Sequence, residues 1–129
     1  MATHQVLFRF PPKSVFQVLT DPTLVEEFTA WRVKGDGPSR FEEGTTWTER
    51  RGLKRRRWTV TAYDRRGLTY TVEGQGVRVS VAAKKGGPGS CNVQMRVDGP
   101  ASAVVRFEKT DGDRLEKLRD WLDGDGTDD

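Results

Sequence analysis

The chain of 129 residues has 22 Lys or Arg against 19 Asp or Glu, is 34% hydrophobic and 32% charged, and contains a single Cys and a single His. That length suits one domain with a real core, and no apolar run approaches the ~20 residues needed to span a bilayer. One Cys excludes an internal disulfide, and one His with one Cys excludes a zinc site of the usual His/Cys kind, so neither a metal nor another cofactor is expected.

Residues 3–10, THQVLFRF, alternate, with His4, Val6, Phe8 and Phe10 on one face. That period predicts a half-buried strand. The opening residues lack the basic, apolar and small-residue sequence of a signal peptide, so a cytoplasmic location is expected. Pro11-Pro12 ends the strand and starts a helix carrying Val15, Phe16 and Leu19. Asp21-Pro22 repeats the device as N-cap and first helical residue, followed by Leu24, Val25 and Phe28.

From here the period changes to two. Trp31 and Val33 begin a strand, and GDGPSRFEEG is a loop rich in turn formers. Trp47 and Glu49 share a face of the next strand, Gly52-Leu53 forms a hairpin tip, and Trp58, Val60 and Ala62 carry the return. Leu68, Tyr70 and Val72 alternate next, then Val77, Val79 and Val81, then Cys91, Val93, Met95 and Val97. Such short strands between Gly-rich turns predict an antiparallel meander. Leu115, Leu118, Trp121 and Leu122 form a helical stripe over about 112–122. The preceding PASAVVRFEKTD either begins that helix or is irregular, its β-branched pair and Gly112 favouring a break. Residues 1–123 are expected to be one domain and 124–129 an acidic disordered tail.

In this order PPKSVFQVLTDP, FTAW, EEGTTW, RRWTVTAYDRRGLTY and LEKLRDWL resemble the START/Bet v1-like (SRPBCC) superfamily, in particular its polyketide cyclase/dehydratase-like group, over roughly residues 4–123. The resemblance implies an α+β helix-grip fold: a curved antiparallel β-sheet wrapped around a C-terminal α-helix, with two short helices after the first strand. It also implies an internal cavity that binds a small apolar or aromatic ligand, with cyclase or dehydratase chemistry on polyketide-like substrates in some members. The clear terminal helix is short for that family.

Three side chains are candidates for chemistry. Glu49 shares parity with Trp47, and a carboxyl in an apolar pocket can act as a proton donor; pairing with Arg51 or Arg56 is the alternative. Tyr70 offers a hydroxyl to a bound carbonyl, or is an ordinary core aromatic. His4 can exchange protons near neutral pH if its strand end is enclosed. The expected cavity lining is Phe8, Phe10, Trp31, Trp47, Trp58, Val60, Tyr70, Val79, Val93, Met95 and Leu118.

The run RRGLKRRR holds six bases in eight positions, Arg50 to Arg57. Residues 1–119 carry 22 basic and 14 acidic groups, a net +8, because five Asp lie from Asp120 onward. Such a body suits an anionic partner, and a nucleic-acid- or ribosome-associated module is one reading, a non-catalytic protein-interaction domain another. The usual companions of nucleic-acid recognition are missing, since Trp58 has core parity and no zinc finger or RNA-recognition signature is present. A charged hairpin projecting past the core explains the run, and Arg51, Arg55 and Arg57 are expected to rim the cavity and attract an anionic ligand.

Overall fold

A computed structural model describes residues 1–35 and 40–124. Part of the GDGPSRFEEG loop and the acidic residues 125–129 lie outside the described residues. Seven strands form one antiparallel sheet: β1 (Ala2–Phe8), β2 (Arg32–Val33), β3 (Thr46–Arg51), β4 (Lys54–Asp64), β5 (Thr69–Gly74), β6 (Val77–Lys85) and β7 (Cys91–Asp98). Their spatial order is β1-β7-β6-β5-β4-β3-β2, so every consecutive pair from β2 to β7 is a hairpin neighbour and β1 closes the far side on β7. Val6 sits opposite Val93 and His4 opposite Met95 in that closing pair.

Helix α1 (Pro12–Leu19) follows β1, and Val15 and Phe16 bury its apolar stripe. A single turn at Pro22–Leu24 leads into α2 (Val25–Phe28), with the Asp21 carboxylate accepting from the Thr23 amide. This N-cap is the one that Asp21-Pro22 predicts. The corner packs Val25 into the core and sets Phe28 against Trp121, ring centroids 6.1 Å apart.

Two hairpin tips have the backbone their sequences require. Gly52 and Leu53 turn β3 into β4, with Gly52 at φ 60° and Leu53 fully exposed. Gln75 and Gly76 turn β5 into β6 with φ of 56° and 80°, the paired positive values of a tight two-residue hairpin turn.

Two expectations are corrected. The register of β4 against β5 shifts between Val60 and Ala62. This bulge turns Ala62 outward, although simple alternation places it inside, and brings Tyr63 to the inner face, stacked on Phe16 at 6.0 Å. The terminal helix is also not short. PASAVVRFEKTD folds as α3 (Ala101–Asp111), followed after Gly112 and Asp113 by α4 (Arg114–Gly124). Ala103, Val104, Phe107 and Asp111 recur at helical spacing and are all buried, so packing outweighs the modest propensity penalty of the two valines. The break does fall at Gly112. Helix α3 lies over β6, while α4 lies over β1 and against α2.

Candidate functional site

Between the inner face of the sheet, the α1–α2 corner and α4 lies a cavity of about 50 Å³. Val25 and Phe28 close it from the corner, Trp47, Tyr70 and Met95 from the sheet, and Leu115 and Leu118 from α4. Phe41 stands at the centre of an aromatic cluster on its wall, 5.0 Å from Tyr70, 5.7 Å from Tyr63 and 5.8 Å from Trp47. An engineered apolar cavity of roughly 150 Å³ takes up benzene. The present space is narrower and admits a ring only if the short α1–α2 corner or α4 gives way.

Three polar side chains reach this lining: Tyr70, Asp21 and Arg114. Asp21 is occupied by Thr23, accepting from its amide at 3.1 Å and its hydroxyl at 2.6 Å. Arg114, the first residue of α4, stands 3.9 Å from Asp111. The Tyr70 hydroxyl makes no hydrogen bond within the described residues. Burial pushes its phenol up to about 12, against the pull of Arg114, so it remains a neutral donor over the whole physiological range.

Beside the cavity is a buried ionic network. Glu49 is fully buried, and its carboxylate accepts from Arg56 Nε at 2.6 Å, from Trp58 Nε1 at 3.2 Å and from Trp47 Nε1 at 3.1 Å. The two terminal nitrogens of Arg56 donate to Asp111 at 2.7 and 3.0 Å, and Thr110 adds its hydroxyl to the same carboxylate at 2.7 Å. Burial alone raises the Asp111 pKa, but the hydrogen bonds and charge of Arg56, with Arg114 and Thr110, outweigh it and hold the carboxyl below its ordinary range. Arg56 is raised in turn: its two carboxylate partners outweigh its own desolvation.

No family model matches the chain, and no curated protein matches it in sequence. Solved structures match its shape. A protein described as Aha1, from Colwellia psychrerythraea and solved as a dimer, is 18% identical with a TM-score of 0.72, covering 95% of this chain and 96% of that one. Ara h 8.0201 is 14% identical with a TM-score of 0.66, covering 94% and 95%. The di-domain ARO/CYC protein StfQ from the steffimycin biosynthetic pathway is 12% identical with a TM-score of 0.64, covering 94% of this chain and 44% of that one. The fold is the Bet v1-like helix-grip fold.

Within this helix-grip frame the expected site residues separate. Trp47, Trp58, Tyr70, Val79, Met95 and Leu118 line the cavity together. Phe8, Val60 and Val93 are buried in the surrounding core and Phe10 is half-buried against it, all outside that lining. Trp31 is buried at the far end, with the Arg56 guanidinium 3.8 Å from its ring centroid.

Of the two readings of Glu49 the structure takes the alternative, pairing with Arg56, and His4 is placed outside the lining. Glu49 does face inward, but its carboxylate oxygens already accept from Arg56, Trp58 and Trp47, so they are occupied within the protein and turned away from a ligand. His4 turns to α3 and pairs with Glu108 at 2.7 Å, away from the lining. Arg51, Arg55 and Arg57 do not rim the cavity; the cation there is Arg114. The hairpin is also not charged outward on both faces, since Arg56 is 7% exposed and belongs to the interior network.

Sequence reasoning missed Arg114, Asp111 and Phe41. Asp111 continues the apolar spacing of Val104 and Phe107, a signal that it points inward. Nothing local marks Arg114 or Phe41. Among the described residues no group of three His, Cys, Asp or Glu side chains could hold a metal, and no helix is long and apolar enough to cross a membrane.

Proposed function

We propose that the cavity binds a small, planar, apolar or aromatic molecule that presents a carbonyl or similar acceptor to Tyr70. The observation that carries this reading is the Tyr70 hydroxyl, a protonated donor without an acceptor among the described residues, in a wall of Phe41, Trp47, Trp58 and Met95. Burying about 200 Å² of ligand surface contributes roughly 5 kcal/mol before entropy losses. One hydrogen bond to an otherwise unpartnered donor adds about 1 kcal/mol and fixes orientation.

Ring closure or dehydration of a polyketide-like substrate extends this reading. In ring closure an enol carbon of the substrate attacks a carbonyl carbon polarised by Tyr70. The C–C bond forms as the C=O π bond opens, the oxyanion is stabilised beside Arg114, and the enol proton passes through solvent to that oxygen. The ARO/CYC description of StfQ and the dynemicin biosynthetic locus of a second neighbour, DynU16, support that extension. Glu49 is not assigned the base, for the reason its hydrogen bonds give.

The test is a fluorescence titration of tryptophan quenching by paired aromatic probes, one with and one without a ketone, at low and high salt. Saturable one-to-one binding that survives salt is expected, with the ketone bound about fivefold more tightly and that preference lost in Tyr70→Phe. Absence of binding to the folded chain overturns the cavity reading.

A further inference from the structure

We propose a second site, separate from the cavity: a groove between the β3–β4 hairpin and α3 that binds the phosphate group of a small aromatic or apolar phosphomonoester. The groove has a volume of about 280 Å³, against about 50 Å³ for the cavity. Its floor is apolar and aromatic, from Ala103, Phe107 and Trp31, and its sides carry Lys54, Arg55 and Arg106. Phe107 lines both spaces, so the two sites stand back to back across one ring.

The charge arrangement points to an anion. Asp111 and Arg56 also line the groove, and the carboxylates of Asp111 and Glu49 are balanced by the guanidinium groups of Arg56 and the part-exposed Arg114. Those four charges sum to zero. Lys54, Arg55 and Arg106 have no carboxylate partner among the described residues, and all three are exposed. On β6 and β7 the exposed arginines find acids, Arg78 pairing with Glu73 and Arg96 with Asp98, whereas Arg50 and Arg57 on the hairpin, like Lys54 and Arg55, have no carboxylate partner among the described residues. Three unpaired cations on both sides of one concavity create a local positive field that a dianion complements better than a carboxylate does.

A further observation concerns the floor. Trp31 is 5% exposed, and its indole N–H has no hydrogen-bond partner among the described residues. Buried donors ordinarily have one. The match to an oxyanion rests on the cationic sides of the groove. Trp31 and Phe107 are each only 5% exposed, so the floor gives successive bases no stacking platform, which favours a small ester over a polymer.

Calorimetric titration of the full chain with phenyl phosphate, benzyl alcohol, inorganic phosphate and a short oligothymidylate tests this. Phenyl phosphate is expected to bind one-to-one, about tenfold or more tighter than benzyl alcohol, with inorganic phosphate weaker but competitive. The double variant Arg55→Glu/Arg106→Glu, with native circular dichroism, is expected to lose that binding and keep uptake of the cavity's neutral probe. Arg9→Glu, a charge reversal away from the groove, is expected to change nothing. The proposal is overturned if phenyl phosphate fails to bind, if the double variant binds it unchanged, or if phenyl phosphate displaces the cavity probe. It is equally overturned if only the oligonucleotide binds, with a steep salt dependence, which would give this face to a nucleic-acid backbone. Failure of the cavity probe alone leaves this site standing, so the two readings fail separately.

Discussion

Arg56 and Asp111 lie 55 positions apart in the chain and meet in the interior through two parallel hydrogen bonds of 2.7 and 3.0 Å. Through them the hairpin is fastened to the last turn of α3, next to the break that sets the course of α4. Glu49 completes the arrangement from β3, so one arginine holds together a strand, its hairpin partner and a helix.

Removing one member of this network leaves a charge stranded in the core. Arg56→Met is therefore expected to destabilise the fold by about 3–5 kcal/mol, read from the urea midpoint. Replacing all three charges together, as Arg56→Met with Glu49→Gln and Asp111→Asn, is expected to cost less than Arg56→Met alone. Equal or greater loss in the triple variant would show that the network does more than satisfy itself.

Acid dependence follows from Asp111. Its folded-state pKa is depressed below its ordinary value of 3.8, so its pairing contributes full stability above that value. The contribution is lost as pH falls through the folded-state pKa. Urea midpoints of the wild type are expected to decline as pH falls below that ordinary value of 3.8, and Asp111→Asn should flatten the decline. An unchanged slope would place the acid sensitivity elsewhere.

The narrow cavity makes an unusual coupling of stability and binding. Met95 is 1% exposed and lines the space directly. Met95→Ala is expected to cost about 2–4 kcal/mol of stability and to bind a small neutral aromatic more tightly than the wild type does. Thermal melts with and without the probe measure both, and tighter binding in the wild type would argue that the ligand enters by another route.

Gly74 is fixed by contact. A Cβ built there meets the Arg57 carbonyl oxygen inside van der Waals distance and the Trp58 ring at 2.9 Å. Gly74→Ala is expected to destabilise by about 1–3 kcal/mol through overpacking against the cavity wall, while Gly87→Ala, with nothing nearer than 3.7 Å, is expected to be close to neutral.

Much of this protein is written locally. The Pro12 and Asp21-Pro22 helix starts, the Gly52-Leu53 tip and the alternation of Val77, Val79 and Val81 depend on neighbours within a few residues, and each appears in the structure where the pattern places it. Backbone conformation and parity are short-range properties, so the chain itself determines them. The bulge at Thr61 is a property of two strands in register, which is why Ala62 and Tyr63 change places against the simple pattern. Arg56 shows the larger limit. The sequence offers it as one possible partner of Glu49, but only the arrival of Asp111 from α3 shows the second carboxylate that holds it in the interior. Likewise Tyr70 and Arg114 are separated by the last two strands and all of α3, and their sharing of one cavity is decided by how the terminal helices cross the sheet. Sequence determined the strands, the turns and the apolar face; the tertiary packing decided which polar groups that face encloses, because a buried charge takes its partner from whatever part of the chain the packing brings within reach.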